Sequence, residues 1–285
     1  MNRADFRFLE RLRVRWAEVD MQKIVFNGHY LMYVDTAVAG YWRALALPYE
    51  ETMQHLGGDL FVRKASLEYL GPAVYDDVLD IGIRCERVGT SSLLFQAGVF
   101  RAEQLLVGGE LVYVFADPVA RRPLPVPQEL RQTLTGFESG ESMVDVRVAD
   151  WQALGVDAGA IRGEVFVQEQ QIPADMEWDA ADASCVHAVA YNRLGMAVGT
   201  GRLLEHVPGV AKIGRMAVRR ALRGSRVGRA VLEALMQAAR QRGDREVLLH
   251  AQMTAEPFYR RAGFQQRGPV FEEAGIAHVE MVRAL

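Results

Sequence analysis

The sequence predicts an α+β protein made of two domains. The chain has 285 residues, about the length of two ordinary domains, and half of its residues are hydrophobic, so each half can bury a core. Strand-like runs accompany one long helical stretch in the first half, whereas a strand, an arginine-rich turn and a helix follow one another in the second. We predict domains over residues 1–137 and 145–285, separated by a polar linker over residues 138–144.

The composition narrows the functional classes. A net charge of −3 argues against a general nucleic-acid-binding protein. Cys85 and Cys185 are far apart and lack metal-ligand spacing, so we expect a reducing, cytoplasmic compartment and no metal. The N-terminus lacks the apolar region of a signal peptide, and no apolar run approaches the roughly 18 residues of a membrane span. We therefore expect neither nucleic acid nor membrane as a partner.

The first domain begins with a predicted strand over Phe8–Trp16 and a predicted helix over Tyr30–Leu45, whose apolar residues recur at helical spacing. Four strand-like runs follow, separated by short turns: Phe61–Tyr69, Val78–Arg87, Ser92–Arg101 and Leu105–Ala116. This order indicates an antiparallel meander. A meander with a single helix has to wrap its sheet around that helix to bury both.

The loop before this helix is where the first domain can hold chemistry. Glu18 and Asp20 are carboxylates just ahead of a helix N-terminus. The positive dipole end and the free N–H groups of such a helix can polarise a carbonyl group. The alternative is that Asp20 only caps a turn.

The first domain resembles the hotdog-fold thioesterases of the 4-hydroxybenzoyl-CoA thioesterase and YbgC-like group. That group has an E/D-x-D-x-x-G-x-V-x-x-x-x-Y loop, which Glu18, Asp20, Val25 and Tyr30 match. Ala65–Ile81 is similar to a later stretch with the pattern Y-x-x-P-A-x-x-x-D. The resemblance covers roughly residues 8–134 and implies a hotdog fold, in which an antiparallel sheet wraps around a long helix.

The hotdog resemblance also implies a site. Asp20 would be the nucleophile or general base of thioester hydrolysis, and N–H groups over Gly28–Tyr30 would hold the thioester oxygen. The thioester-binding residues that it implies are Asn27, Gly28, His29 and Tyr30. It further implies a dimer or tetramer whose active site is shared between subunits.

Two positions depart from the hotdog pattern. Lys23 stands where the group has glycine, and Asn27 stands where it usually has tyrosine or histidine. We expect Lys23 to form an ion pair with Asp20 that favours the ionised carboxylate. The alternative for this domain is a non-catalytic module that oligomerises the chain or senses acyl-CoA.

An anion site is predicted at the centre of the second domain. Ile213–Val218 is a short strand, Arg219–Arg226 is a turn with four arginines and one glycine, and Val227–Arg240 is an amphipathic helix. Such a turn presents free N–H groups to an anion, and guanidinium groups match phosphate. Neither the P-loop nor the dinucleotide fingerprint fits. The alternative is an amphipathic helix with a basic start.

The rest of the second domain alternates helices and strands. A helix is predicted over Leu154–Val167, followed by a non-periodic acidic loop over Gln168–Ala183. The remaining predicted elements are strands over Cys185–Tyr191, Met196–Leu204, Glu246–Ala251, Phe264–Glu272 and Ile276–Arg283 and a short helix over Glu256–Ala262.

Charge is segregated along this domain. Residues 138–187 hold 11 acidic and 2 basic side chains, net −9, whereas residues 188–285 hold 8 acidic and 16 basic side chains, net +8. The basic part suits a polyanion such as the CoA pyrophosphate, and the acidic part suits a cationic acceptor such as an amine. The alternative is that the acidic run is only a solvated loop.

The second domain resembles the GNAT acetyltransferases. Arg223 and Gly228 match the ends of the superfamily pattern Q/R-x-x-G-x-G/A, and Arg226 replaces the middle glycine, as in the ElaA-like subgroup. Further local matches are Arg162–Pro173, Gly214–Val218, Ala255–Phe264 and Glu272–Met281. The resemblance spans almost all of residues 145–285 and implies direct acetyl transfer from acetyl-CoA to an amine.

The GNAT resemblance assigns residues to this reaction. Tyr259 would protonate the departing CoA thiolate, and Glu169 or a water chain would take the amine proton. The pantetheine chain would lie along the strand as an added strand, on Met216, Ala217 and Val218. The pyrophosphate would lie on N–H groups at Arg223, Gly224, Arg226, Val227, Gly228 and Arg229.

Several aromatic residues keep a second interpretation. Tyr259 has a core aromatic as its alternative role. His187, His250 and His278 fall on predicted strands, where a histidine is more often packed than catalytic.

The full prediction is a bifunctional CoA-thioester enzyme, a hydrolase fused to an acyltransferase. Its substrates are acyl-CoA, acetyl-CoA and an amine, and the chain forms a homo-oligomer.

Overall fold

The computed structural model describes residues 1–285, which divide into two compact units, Met1–Met143 and Val144–Leu285. Each unit has its own sheet. The segment expected to be a linker belongs partly to the first unit, because a helix over Gln128–Glu138 continues to residue 138. None of the helices has the length and apolar character needed to cross a bilayer.

The first unit contains five strands and three helices. In chain order these are β1 (Phe8–Arg13), α1 (Asn27–Ala44), α2 (Tyr49–Leu56), β2 (Asp59–Tyr69), β3 (Val78–Val88), β4 (Ser92–Arg101), β5 (Gln104–Ala116) and α3 (Gln128–Glu138). The strands form one antiparallel sheet with the order β1-β3-β4-β5-β2.

Helix α1 is the centre of this unit. Its residues Tyr33, Val34, Ala37 and Tyr41 are buried on one side, at the i, i+1, i+4 and i+8 spacing of a helix face. This face packs against β1, β3 and β4. The sheet therefore wraps around one long helix, as the sequence predicts, although α1 begins at Asn27 rather than at Tyr30.

The predicted four-strand meander is wrong in one strand. Strands β3, β4 and β5 are successive hairpins, but β2 pairs with β5 rather than with β3. Residues 70–77 connect β2 to β3, although these two strands do not pair. Periodicity within one strand cannot reveal which strand is its neighbour. Strand β2 is consequently an edge, and residues 61–66 are all exposed.

The second unit contains seven strands. Its elements are β6 (Val144–Ala149), α4 (Trp151–Arg162), a π-helical continuation (Gly163–Glu169), α5 (Ala174–Glu177), β7 (Val186–Asn192), β8 (Ala197–Val207), β9 (Val210–Val218), α6 (Val227–Arg242), β10 (Glu246–Gln252), α7 (Glu256–Arg261), β11 (Gln265–Glu273) and β12 (Ile276–Ala284). The sheet order is β11-β12-β10-β9-β8-β7-β6.

Strands β9 and β10 form the one parallel pair of this sheet, and they separate after a short distance. Their pairing covers only Val210–Ile213 against Glu246–Leu249. Beyond it, β9 continues to Val218 with β8 as its partner and has no partner on its other edge. A β-bulge bends β9 here, and Arg215 in the bulge has a left-handed φ of 52°. The separation opens a cleft in the middle of the sheet.

Candidate functional sites

The loop before α1 is anchored by a buried carboxylate. Glu18 is 3% exposed and accepts hydrogen bonds from the Arg15 backbone N–H and the Tyr33 hydroxyl, both at 2.7 Å. Arg15 also donates from its guanidinium. Burial raises the pKa of Glu18, but the hydrogen bonds from Arg15 and Tyr33 outweigh burial and lower it overall. Glu18 therefore holds the loop against α1 and does not line the cavity beside Asp20.

Asp20 sits at the base of a tight loop. Its backbone N–H donates to Ile24 at 2.9 Å, and its carbonyl accepts from the Lys23 N–H at 2.9 Å. One carboxylate oxygen, Oδ1, accepts from the Gln22 N–H at 2.8 Å. The other oxygen has no protein partner. Asp20 therefore caps the turn through Oδ1, as the alternative interpretation predicts, and its second oxygen stays available.

The expected ion pair between Lys23 and Asp20 is not formed. Lys23 contacts Asp20 through its backbone N–H, and its ammonium group takes part in no salt bridge. Lys23 lies at the tip of this loop with a left-handed φ of 63°.

The first turn of α1 supplies two free donors. The N–H groups of Asn27 and Gly28 have no acceptor, as expected for the start of a helix. The N–H group of His29, predicted to bind the thioester oxygen, instead donates to the Phe26 carbonyl at 2.9 Å. The Tyr30 hydroxyl accepts from the Ala73 N–H at 2.8 Å. Gly28 therefore keeps a free N–H group within the predicted Gly28–Tyr30 stretch, and Asn27 adds another one residue before it.

Asp20, Asn27 and Tyr30 open onto one cavity of 670 Å³, whereas Gly28 and His29 do not line it. The far wall comes from the end of β2 and the following turn, where the Tyr69 hydroxyl donates to the Asn27 carbonyl at 3.1 Å. The complete lining is Asp20, Met21, Gln22, Ile24, Val25, Phe26, Asn27, Tyr30, Tyr69, Leu70, Gly71 and Pro72. A mostly apolar cavity with one free carboxylate oxygen suits an acyl group beside a hydrolytic centre.

In the second unit, the start of α6 presents free N–H groups. Helix α6 begins at Val227, so the N–H groups of Val227, Gly228 and Arg229 precede its first internal acceptor. Gly224 and Arg226 also donate to no backbone acceptor, whereas the predicted Arg223 N–H donates to Arg220 at 3.3 Å. This cluster fits an anion.

The three arginines predicted at the pyrophosphate site, Arg223, Arg226 and Arg229, are not equally available. Arg223 donates both terminal nitrogens to Glu169 at 2.6 Å each, and its Nε to the Val218 carbonyl at 3.3 Å. Arg229 pairs with Glu233 at 2.7 Å. Arg226 is exposed and has no partner. The side chain of Arg226 is therefore the one of this predicted set that is free to meet a phosphate.

The contact between Arg223 and Glu169 changes the interpretation of Glu169. The Arg223 hydrogen bonds lower the pKa of Glu169 more than burial raises it. Glu169 does not line the cleft between β9 and β10. The carboxylate predicted to take the amine proton is thus held by a guanidinium outside the cleft.

The cleft has a volume of 360 Å³ and brings together two predicted regions. Met216 lies on its β9 side, and Tyr259 of α7 lies opposite. Ala217 and Val218 belong to the same unpaired edge but do not line the cleft. Burial raises the pKa of Tyr259 well above its usual value, so its hydroxyl stays protonated and can donate.

The acidic segment before β7 is not a free anionic surface. Arg162 is 1% exposed and donates to Glu177 at 2.6 Å and to Asp182 at 2.8 Å. Arg202 donates to Asp182 and Asp179, both at 2.7 Å. The charge count of this segment predicts that it attracts a cation. That expectation is wrong for these three carboxylates, because arginines distant in sequence neutralise them.

Two of the three strand histidines line the cleft. His250 and His278 lie on β10 and β12, and His250 Nδ1 is 3.0 Å from Glu273 Oε2. His187 is instead buried, with Nε2 2.9 Å from the Asp182 carbonyl. Sequence reasoning favoured a packed role for His250 and missed Glu273, because the meeting of these two residues depends on strand register. No group of three or more His, Cys, Asp or Glu side chains is placed to hold a metal ion.

Two family models match separate parts of the chain. The thioesterase superfamily matches residues 22–107, and the acetyltransferase (GNAT) domain matches residues 148–285. The uncharacterised N-acetyltransferase YjcF of Bacillus subtilis is 36% identical over 128 residues, which are 45% of this chain and 90% of that protein. A candidate esterase of Aquifex aeolicus is 30% identical over 96 residues, 34% of this chain and 74% of that protein. The acyl-CoA thioester hydrolase YbgC of Escherichia coli is 27% identical over 131 residues, 46% of this chain and 96% of that protein.

The chain belongs to both families. Its first unit is a hotdog unit of the thioesterase superfamily, and its second is a GNAT acetyltransferase unit. Proteins of both families act on CoA thioesters.

Two of the departures from the family patterns, at Lys23 and Arg226, share one physical basis. Lys23 replaces the glycine of the hotdog loop, and Arg226 replaces the middle glycine of the GNAT pattern. Both have left-handed backbones, with φ of 63° and 71°. Glycine adopts this region without steric cost, whereas a residue with a Cβ does not. The substitutions therefore keep the backbone path of each loop at some cost in stability.

We predict that Lys23→Gly raises the free energy of unfolding of the first unit by about 1 kcal/mol, because it removes the left-handed strain. Urea-induced unfolding monitored by tryptophan fluorescence measures the change. Lys23→Ala is the matched control, since alanine removes the ammonium but keeps the Cβ, and it should give no gain. Equal unfolding midpoints for the two variants would contradict this explanation.

Proposed function

We propose that the hotdog unit hydrolyses acyl-CoA thioesters. The observation that supports this is the free oxygen of Asp20 in a cavity that Asn27, the first residue of α1, also lines. The Asn27 and Gly28 N–H groups polarise the thioester carbonyl. Either Asp20 deprotonates a water that attacks the carbonyl carbon, or it attacks this carbon itself and a water then hydrolyses the resulting anhydride; in both routes the water supplies the proton that the CoA thiolate takes up. A C–O bond forms, the C–S bond breaks, and the products are a carboxylic acid and CoA.

Relatives support this assignment. The name of YbgC describes acyl-CoA thioester hydrolysis, and this chain covers 96% of that protein. Asn27 differs from the tyrosine or histidine of the family pattern, but its backbone N–H still starts the helix. The competing function is a module that binds acyl-CoA without hydrolysing it.

We predict that Asp20→Asn lowers kcat for hydrolysis of a panel of acyl-CoAs by about 10²-fold or more, because the amide cannot act as base or nucleophile. Release of free CoA thiol measures the rate. Asp35→Asn, an exposed position on α1, is the matched control and should hydrolyse at the wild-type rate. Equal rates for Asp20→Asn and wild type would support the non-catalytic module instead.

We further propose that the hotdog unit assembles the chain into a homo-oligomer through β2. The supporting observation is an eleven-residue edge strand with exposed Phe61 and Val62. An edge of this kind carries a row of unpaired N–H and C=O groups, which readily pair with a second strand.

We predict that Val62→Asp shifts the intact chain towards monomer, since a charge on an edge strand opposes strand pairing. Sedimentation velocity measures the mass. Val119→Asp, at an exposed site in the loop after β5, is the matched control and should keep the wild-type assembly. A monomeric wild type would contradict the proposed oligomer.

We propose that the GNAT unit transfers the acetyl group of acetyl-CoA to an amine. The supporting observation is the juxtaposition of an unpaired β9 edge, free N–H groups at the start of α6, and a protonated tyrosine across the cleft. The pantetheine amides would pair with β9 from Gly214 to Val218, and the pyrophosphate would lie at the start of α6 beside Arg226. Tyr259 then donates its proton to the departing thiolate.

The left-handed backbone of Arg226 allows a sharp test of this phosphate site. We predict that Arg226→Gly weakens acetyl-CoA binding about five-fold at low salt, equivalent to about 1 kcal/mol, while glycine preserves the backbone. The loss should shrink as salt rises. Calorimetric titration measures both.

Two controls make the Arg226 result specific. Acetylpantetheine, which lacks the pyrophosphate, should bind the variant and wild type equally. Arg240→Ala, near the other end of α6, should leave acetyl-CoA affinity unchanged. Unchanged acetyl-CoA affinity in Arg226→Gly would remove the Arg226 side chain from the phosphate site.

A further inference from the structure

The pairing of β10 with β12 builds a polar wall along the cleft. In this antiparallel register His250 faces Glu280, and Gln252 faces His278. Directly opposed residues share a sheet face, as do residues two apart in one strand, so these four side chains lie on the same face. His250, Gln252 and His278 line the cavity that also contains Tyr259. Two imidazole rings therefore face the same space as the predicted acid.

The neighbours of His250 favour one tautomer. Nδ1 is 3.0 Å from Glu273 Oε2 and 3.4 Å from Lys212 Nζ. Burial raises the pKa of Glu273, but the hydrogen bond from His250 and nearby positive charges lower it overall, so the carboxylate is ionised and only accepts. The shorter contact is the stronger one, so Nδ1 carries the proton and donates it to Glu273. The opposite nitrogen, Nε2, is left with its lone pair.

The surroundings of Nε2 suit a proton acceptor. Glu280 Oε2 lies 4.0 Å away, beyond hydrogen-bond distance, and Arg267 holds this carboxylate at 2.5 Å. Once Nε2 takes a proton, the imidazolium lies between the carboxylates of Glu273 and Glu280. The other groups facing the ring are the Lys212 ammonium from β9, His278 from β12 and the Phe271 ring from β11, 4.9 Å between centroids.

Other bases near the cleft are less suitable. His278 donates from Nδ1 to the Ile276 carbonyl at 2.8 Å, but its ring is 9% exposed and stacks on Phe271. Glu177 and Asp179 line the cleft, yet arginines hold both carboxylates. His250 is the lining base that has both an orienting carboxylate and an open nitrogen.

We infer that His250, oriented by Glu273, is the general base that deprotonates the acceptor amine. This inference rests on the acetyl transfer proposed for the GNAT unit. Nε2 takes one proton from the substrate ammonium, and the freed nitrogen lone pair forms a bond to the acetyl carbon. The C–S bond breaks as Tyr259 gives its proton to sulfur, and the second proton leaving the new amide nitrogen restores the tyrosine through solvent. The net products are an amide, CoA and one proton. Glu273 is a positioning residue in this reaction.

The first test is kinetic and uses acetyl-CoA with a panel of primary alkylamines. For the best acceptor of the wild type, His250→Gln should lower kcat/KM about 10²-fold at neutral pH, with acetyl-CoA affinity unchanged. The deficit should narrow as pH rises towards the pKa of the amine, because solvent then deprotonates the substrate. If the substitution only damaged the structure, a higher pH would not restore the rate. A His250→Gln rate equal to wild type, or a deficit independent of pH, would overturn the inference.

Matched variants accompany this test. Glu273→Gln should lower kcat/KM by a smaller factor, about ten-fold, since it disturbs only the orientation of the ring. Its neighbour Glu272→Gln and the exposed His206→Gln lie outside the cleft lining and should act as wild type. A rate for Glu273→Gln equal to that of Glu272→Gln would remove the positioning role.

The second test needs no acceptor. In the full-length chain, ¹⁵N imidazole spectra should show His250 protonated on Nδ1 and bare on Nε2, with this tautomer lost in Glu273→Gln. The opposite wild-type tautomer would overturn the inference. If the wild type acetylates no amine of the panel, the proposed transfer function fails on its own, and the spectra still decide whether Nε2 is available as a base.

Discussion

Both candidate sites depend on a single constraint, the backbone N–H groups that a helix leaves without acceptors at its first turn. Helix α1 starts at Asn27 beside Asp20, and α6 starts at Val227 after the arginine turn. Each start is reached through a short loop held by its own backbone hydrogen bonds. In the functions proposed above, the first set would polarise a thioester carbonyl and the second would bind a phosphate, so one physical property would serve both sites.

The loops tolerate changes in side chain because their backbone paths are kept. Lys23 and Arg226 both stand at left-handed positions where the family patterns have glycine. Their differences from the patterns therefore alter charge and stability more than geometry. At Arg226 the change also adds an unpaired guanidinium beside the free N–H groups, which suits a pyrophosphate.

Pairing decides which charges are available for function. The turn before α6 and the start of α6 are rich in arginine, but Arg223 is held by Glu169 and Arg229 by Glu233. The acidic segment before β7 is likewise neutralised by Arg162 and Arg202, which are buried. These contacts tie distant parts of the unit together. His250, which Glu273 orients, is left as the base that faces the cleft without an arginine partner.

The sequence by itself determined the two families, the long helix α1, the strand–turn–helix around α6 and the position of Asp20 before a helix, because periodicity and loop motifs are local properties. Only the tertiary structure decided that β2 crosses to β5, that β9 and β10 separate after Ile213, and that Glu169 meets Arg223. It also decided that His250 and Glu273 share the cleft with Tyr259. Each of these facts joins residues far apart in the chain, and strand register and ion-pair partners are set by packing rather than by local pattern.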